Sequence, residues 1–212
     1  IFLQRINHFF NTVSYFYSNS YIRLLIMEEN LAQDQSLIKR VVICGPESTG
    51  KSTMIRNLAA HFKTNFVDEF ARDFLQNKWN NKQEVCSKED LLEIVKGQLE
   101  LENLKIKESS KLIFCDTNIL TTIAWSKTHF NGFCDPWIQR QAKTLKYNYY
   151  LILNTDIPWI KDDLRDRPKD REKMFLAHKK ELDYASVDYD IINGSDFQKR
   201  LYAAIDYLEN KF

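Results

Sequence analysis

The 212-residue chain reads as an α/β protein built on an open parallel sheet with helices on both faces. Three observations carry that expectation. Short runs rich in β-branched and aromatic residues alternate with stretches whose apolar residues recur at helical spacing, as in repeated βα units. One such unit encloses Gly45-Pro46-Glu47-Ser48-Thr49-Gly50-Lys51-Ser52, a full match to G-x-x-x-x-G-K-[ST]. A further apolar run ends in Asp116, the form taken by the magnesium-holding strand of P-loop proteins.

Composition sets the outer limits. The chain is 44% apolar and 28% charged, ordinary for a globular protein and long enough for one domain with a sizeable core. A net charge of +1 supplies no field that would draw nucleic acid or a membrane surface. Cys44, Cys86, Cys115 and Cys134 lack C-x-x-C spacing, and two of them fall in predicted core strands. They read as reduced thiols of a cytoplasmic protein. The histidines show no metal-ligand spacing, so zinc is not expected. Oligomeric state stays open, a homo-oligomer included.

Residues 1–26 differ from the rest. They hold no Asp or Glu, only Arg5 and Arg23 as charges, and seven aromatics. Asn7, His8, Asn11, Ser18, Asn19 and Ser20 interrupt any apolar run, which argues against both a signal peptide and a membrane span. Met27 is followed by Glu28-Glu29-Asn30, a solvated start. The expectation is that residues 1–26 are a non-native or disordered leader, that translation begins at Met27, and that residues 27–212 form a single domain.

Taken in order, residues 38–44 form a strand through Val41-Val42-Ile43-Cys44, and residues 52–61 a helix with Met54, Ile55, Leu58 and Ala59 on one face. The glycine-bounded loop between them can curl its N–H groups round a phosphate, with the helix dipole adding to the attraction. Lys51 is placed to reach the β- and γ-phosphates and the Ser52 hydroxyl to hold Mg²⁺. Strand, loop and helix together imply a bound nucleoside triphosphate. Residues 64–67 make a second strand ending in Asp68-Glu69-Phe70-Ala71-Arg72, at the carboxyl edge where open sheets bind ligands. A helix N-terminus favours acids there on structural grounds, but that does not explain Arg72.

Residues 78–84 read as a polar loop. Ser87 is a candidate cap for a long helix over residues 88–109, with Leu91, Val95 and Leu99 on one face. Gly97-Gln98 interrupts it, and a mid-helix glycine, about 1 kcal/mol worse than alanine, points to a close approach. Residues 111–116 form the third strand. Thr117 follows Asp116 where many motor-type ATPases carry a hydrolytic Glu, which argues against a dedicated hydrolase. Helices are expected over residues 117–130 and from Pro136, with proline in its first turn. Residues 148–153 are strand four. Beyond it, residues 156–171 are dense in Arg and Asp, with Arg165, Arg167 and Arg171 suited to bidentate phosphate contact. Charge runs are usually solvated loops, but this placement favours a mobile lid that excludes water. A helix over residues 170–183 turns Met174, Phe175, His178 and Leu182 inward. Residues 189–192 are strand five, Asn193-Gly194-Ser195 a turn, and residues 196–210 the closing helix.

The ordered set Gly45–Thr53, Asp68-Glu69-Phe70-Ala71-Arg72, Gly97-Gln98, Cys115-Asp116-Thr117, and Asp156-Ile157-Pro158-Trp159 with Asp163-Leu164-Arg165 resembles the ribosylnicotinamide kinase domain of the NadR type. The resemblance spans about residues 39–208. It implies a three-layer P-loop NTPase fold, a five-stranded parallel sheet flanked by helices, nucleoside-kinase-like with an Arg-rich lid. It also implies transfer of the γ-phosphoryl of ATP, with Mg²⁺, to the 5′-hydroxyl of nicotinamide riboside, giving nicotinamide mononucleotide for NAD salvage. The H-x-G-H signature of an adenylyltransferase is absent.

On this reading Gly45, Glu47, Ser48, Thr49, Gly50, Lys51, Ser52 and Thr53 cradle the triphosphate, and Ser52 and Asp116 hold Mg²⁺. Asp68 or Glu69 serves as the base, Arg72 holds that carboxylate or the substrate, and Lys51, Arg165, Arg167 and Arg171 neutralise developing charge. By resemblance, Asn193 and Gly194 border the adenine, and the acceptor meets Asp68, Glu69, Arg72, Asp116, Trp159 and Asp163. A kinase for another nucleoside or nucleotide, or a regulatory ATP-binding module, remains the alternative.

Overall fold

A computed structural model describes residues 32–165 and 167–212 of the chain; the expectation for residues 1–26 lies outside them. Residues Gln33–Phe212 form one compact unit. Its elements are β1 (Lys39–Cys44), α1 (Lys51–His61), β2 (Phe66–Val67), α2 (Phe70–Lys82), α3 (Asp90–Ile106), β3 (Leu112–Asp116), α4 (Ile119–His129), α5 (Pro136–Gln141), β4 (Tyr149–Leu153), α6 (Arg171–Ala185), β5 (Tyr189–Ile192) and α7 (Phe197–Glu209).

The five strands are parallel, in the order β2-β3-β1-β4-β5. The chain steps from β1 to one side for β2 and β3, then crosses to the other for β4 and β5. This reversal opens a crevice at the carboxyl end of β1, where ligands bind in open α/β sheets. The loop after β1 emerges there, between Asp116 of β3 and the segment that follows β4.

Both sheet faces are covered, so β1, β3 and β4 carry continuous apolar runs, as buried parallel strands do. Alternation along each strand divides the core in two. Val42, Cys44, Ile113, Cys115, Tyr150 and Ile152 pack with α3, α4, α5 and α6. Val41, Ile43, Phe114, Leu151 and Leu153 pack with α1 and α7. The result is the expected three-layer architecture.

The local signals sit where the physics requires them. Asp135 caps α5 by accepting the Trp137 N–H, with Pro136 in the first turn. Asp196 caps α7 through the Lys199 N–H, and Asn118 caps α4 by accepting from Leu120 and Thr121. Two expectations are corrected. Residues 78–82 are not loop: α2 runs on through Lys82, held by the 2.6 Å Lys78–Asp90 ion pair to the start of α3, and stops where Gln83 turns left-handed at φ 56°. Ser87 is not the cap residue of α3, which begins after Glu89; instead the Asp90 carboxylate accepts the Ser87 N–H at 2.7 Å.

Behind the sheet lies a buried charge. Glu102 of α3 is fully buried and takes hydrogen bonds from Arg40 Nε of β1 at 2.6 Å and Gln33 Nε2 at 2.9 Å. Gln33 also pairs with both backbone groups of Lys146, so the segment preceding β1 is stitched to α3 and to the approach of β4.

Candidate active site

The loop after β1 has the backbone its glycines permit. Gly45 has φ 132° and Gly50 φ 83°, conformations that L side chains rarely adopt. Space is also short at Gly45, where a Cβ would lie 2.6 Å from the Leu153 carbonyl oxygen. Thr49 is buried and its hydroxyl donates to the Pro46 carbonyl at 2.8 Å, bracing the turn from inside. Ser48 is left-handed at φ 56°. Lys51 opens α1 with Nζ folded onto its own loop, donating to the Gly45 and Pro46 carbonyls at 3.0 Å each. Glu47 lies half-buried on the cleft side of the loop, and Thr53 is exposed on the first turn of α1.

Ser52 and Asp116 meet. The Ser52 hydroxyl donates to Asp116 Oδ2 at 2.7 Å. The other carboxylate oxygen, Oδ1, is buried with no hydrogen-bond partner among the described residues, and buried polar atoms ordinarily have one. Burial, and next the charge of Glu69, pushes the Asp116 carboxyl up to about 7, against the pull of Lys51 and Ser52. A carboxylate held so, beside a hydroxyl, fits a hard divalent cation such as Mg²⁺, which takes oxygen ligands. Thr117 follows at φ 68°, a strained conformation for a β-branched residue, with its N–H on the Ile43 carbonyl at 3.1 Å.

Asp68 and Glu69 leave β2 beside this centre. Asp68 is exposed, 3.8 Å from Arg56. Glu69 is half-buried and sits at the N-cap of α2 without capping it. The α2 N-terminus is instead gripped from α3. Gln98, 7% exposed, accepts the Phe70 N–H at 2.8 Å and donates to the Asp68 carbonyl at 3.2 Å. The close approach expected at Gly97 is found, since a Cβ there would fall 2.3 Å from the Phe70 ring.

The segment between β4 and α6 lies against the loop. The Ile160 N–H donates to Ser48 Oγ at 2.8 Å. Arg171, the first residue of α6, donates to the Ile157 and Ser48 carbonyls at 2.8 and 3.1 Å, while its Nε is buried without a partner among the described residues. Its guanidinium lies 6.0 Å from the Trp159 ring centre and its acidity is strengthened by burial. Arg167 and Trp159 line a small cleft with Glu47 and His129.

Arg165 is placed differently. Its Nε contacts Asp162 Oδ2 at 3.0 Å and its Nη1 donates to the Ile160 carbonyl at 2.8 Å. Arg72 of α2 reaches the same Asp162 oxygen at 2.8 Å, and this bond is the main reason its basicity is raised. Burial pushes the Asp162 carboxyl up, but Arg72, the Leu164 N–H and Arg165 outweigh it and leave it below its ordinary range. Asp163, the sequence candidate, is exposed and receives a 3.4 Å contact from Gln76 Nε2. Its neighbour Asp162 is the hub. The D-x-L-R pattern that carries Asp162 onto two following N–H groups was the available signal.

At the far edge, Asn193 and Gly194 are exposed and bonded back to the root of this segment. Asn154 Nδ2 donates to Asn193 Oδ1 at 2.8 Å, and the Gly194 N–H to Asp156 Oδ2 at 2.6 Å. His178, inward on α6, is buried, and burial followed by the Lys51 charge lowers its pKa to about 3. It is a neutral core residue.

The chain is similar to several known proteins in sequence and fold. An AAA domain family matches residues 40–200. The trifunctional NAD biosynthesis/regulator protein NadR of Escherichia coli (strain K12) is 25% identical over 171 residues, 80% of this chain and 42% of that protein. The chain therefore spans about two-fifths of that curated relative's length. Among solved structures, a NadR protein in complex with NR superposes with a TM-score of 0.71 at 19% identity, over 82% of this chain and 52% of the other. The thymidylate kinase of Ehrlichia chaffeensis gives 0.61 at 16% identity, over 82% and 99%. The resemblance to NadR expected from the ordered motifs is found, and the fold is P-loop kinase-like. Every residue placed in the site above lies within the matched span, and the chain belongs to the AAA domain family.

Proposed function

We propose that this chain is an ATP-dependent small-molecule kinase that phosphorylates the 5′-hydroxyl of nicotinamide riboside. One observation carries the reading: the phosphate loop, the Ser52–Asp116 pair with its unpartnered oxygen, the acidic start of α2 and the arginine-bearing segment after β4 all converge on one crevice. That is a site with two sides, one for a triphosphate and one for an acceptor. The choice of acceptor rests on the likeness to NadR, one structure of which is described in complex with NR.

Phosphoryl transfer depends on placement and on stabilising charge more than on covalent chemistry. The loop N–H groups would hold the β- and γ-phosphates, with Lys51 turning from the Gly45 and Pro46 carbonyls onto their oxygens. Ser52 and Asp116 would hold Mg²⁺, which when bound neutralises phosphate charge. Asp68 or Glu69 would orient the ribose hydroxyl and take its proton as the oxygen forms its bond to the γ-phosphorus. The bond to the β–γ bridging oxygen then breaks and ADP leaves. Arg171, with Arg165 and Arg167 from the same segment, would compensate charge as water is excluded. Trp159 offers a flat apolar surface for a cationic ring, and Asn193 and Gly194 an edge for the adenine.

A second reading has its own support. The thymidylate kinase superposes over 99% of its length, and every part named would serve another nucleoside or nucleotide. The test is ADP release from Mg-ATP against a nucleoside and nucleotide panel. Release that depends on nicotinamide riboside is expected. Equal or greater turnover with another acceptor overturns the specificity, and ADP release indifferent to every acceptor marks a regulatory ATP-binding module instead.

A further inference from the structure

We propose that Gln98 and Gly97 of α3 are positioning residues that select Glu69, rather than Asp68, as the proton acceptor. The inference rests on the kinase reading and deepens it. A helix N-terminus presents backbone N–H groups without intrahelical partners, and the residue at the N-cap usually satisfies one with its own short side chain. Glu69 stands at that position in α2 and does not do so. The Phe70 N–H is satisfied from outside, by Gln98 Oε1 at 2.8 Å, and the same amide returns a bond to the Asp68 carbonyl at 3.2 Å. The two bonds flank Glu69 on either side. They fix its backbone at φ −70°, ψ 105° and leave its carboxylate uncommitted to capping.

That carboxylate is half-buried just past Val67, which pairs with Cys115 next to Asp116 at the carboxyl edge of the sheet. Asp68 is 63% exposed and 3.8 Å from Arg56 on α1, a setting that solvates it and gives it a cationic neighbour. Gly97 completes the grip. With no Cβ, it lets the Phe70 ring lie flat on α3 where a methyl would come within 2.3 Å of it, and Phe70 in turn stacks on Phe74 at 5.9 Å. Adjacent residues of one helix thus hold the backbone and the ring of the residue next to Glu69.

The test compares Gln98→Met, which keeps the length and packing but not the bonds, with Glu69→Gln and Asp68→Asn. A misplaced base can cost about 100-fold, so Gln98→Met is expected to lower kcat by about that factor with the KM for ATP little changed. Glu69→Gln should lose more than Asp68→Asn. In the Glu69→Gln background, Gln98→Met should cost less than about threefold, the non-additivity of residues acting as one. Full turnover in Glu69→Gln, or an undiminished effect of Gln98→Met in that background, overturns the proposal. Should Gln98→Met not fold, Gln98→Glu retains the acceptor for Phe70 and should lose less; a loss equal to that of Glu69→Gln counts against the clamp. Hydrogen exchange at the Phe70 amide needs no turnover. If no acceptor is phosphorylated, the kinase reading fails, while unchanged Phe70 protection in Gln98→Met would overturn the clamp itself.

Discussion

Arg72 and Asp162 are joined at 2.8 Å, and this pair ties helix α2 to the segment that lies on the phosphate loop. The same Asp162 oxygen receives Arg165 at 3.0 Å, so one carboxylate holds an arginine from each side of the crevice. Arg72 is 39% and Asp162 24% exposed, and pairs in such settings contribute about 1 kcal/mol or less to stability. Asp162→Asn should therefore leave the thermal midpoint nearly unchanged while raising the rate of proteolysis within residues 156–170. A large loss of stability with an unchanged cleavage rate would mean that the pair supports the fold and not the segment.

Lys51 presents a different case, because its bonds are to its own loop. Those contacts to Gly45 and Pro46 are ones the chain can lose without harm to the core. Lys51→Ala should keep the wild-type unfolding transition and lose phosphoryl transfer by about 1,000-fold, the scale of removing a charge-stabilising donor. Transfer within tenfold of wild type would remove Lys51 from the reaction.

Two glycines separate strain from crowding. Gly132 at φ 86° has open space among the described residues where a Cβ would stand, whereas Gly45 at φ 132° would press one onto the Leu153 carbonyl at 2.6 Å. Gly132→Ala should cost about 1–2 kcal/mol, from backbone conformation alone. Gly45→Ala should cost more and weaken ATP binding as well, since relief requires the loop and the end of β4 to part. Denaturant midpoints and nucleotide titration read the two effects separately.

The neutral His178 makes acid stability predictable. Its pKa, about 3 in the folded chain, lies below the ordinary value near 6.5, so the unfolded chain takes up the proton first. Its contribution is complete above about pH 6.5 and is lost progressively as pH falls toward 3. His178→Leu should flatten the decline of the urea midpoint across that window. An unaltered pH profile would show that other groups govern it.

The legible parts of this chain were those where residue type and spacing leave one solution. The loop could be placed to the residue because Gly45 and Gly50 need conformations open to glycine and Ser52 must face Asp116. Strands β1, β3 and β4 were visible as apolar runs because both their faces are covered. What was not legible depends on contacts distant in the chain. The polar tail of α2 is helical because Lys78 meets Asp90, a partner that composition does not reveal. Asp162 and Asp163 differ in sequence only by the D-x-L-R spacing that carries Asp162 onto the Leu164 and Arg165 N–H groups, and the bond to Arg72, 90 residues away, is invisible there. Gln98 was noticed as a neighbour of Gly97, yet its bonds to Asp68 and Phe70 span about 30 residues.

The buried Glu102 has a consequence for how the chain reaches this state. Its partners Arg40 and Gln33 stand 62 and 69 residues away in sequence, and both must arrive for the carboxylate to be compensated. Stripping a partner from such a pair costs about 3–5 kcal/mol, so an intermediate that docks α3 on the wrong strand, or before β1 is seated, carries that burden. On that argument the charge would act as a proofreader of assembly. Replacing it together with its partner, as Glu102→Met with Arg40→Met, should leave equilibrium stability comparable but populate misregistered species in refolding, seen as added kinetic phases that the wild type lacks. Refolding in a single phase at the wild-type rate would deny Glu102 that part.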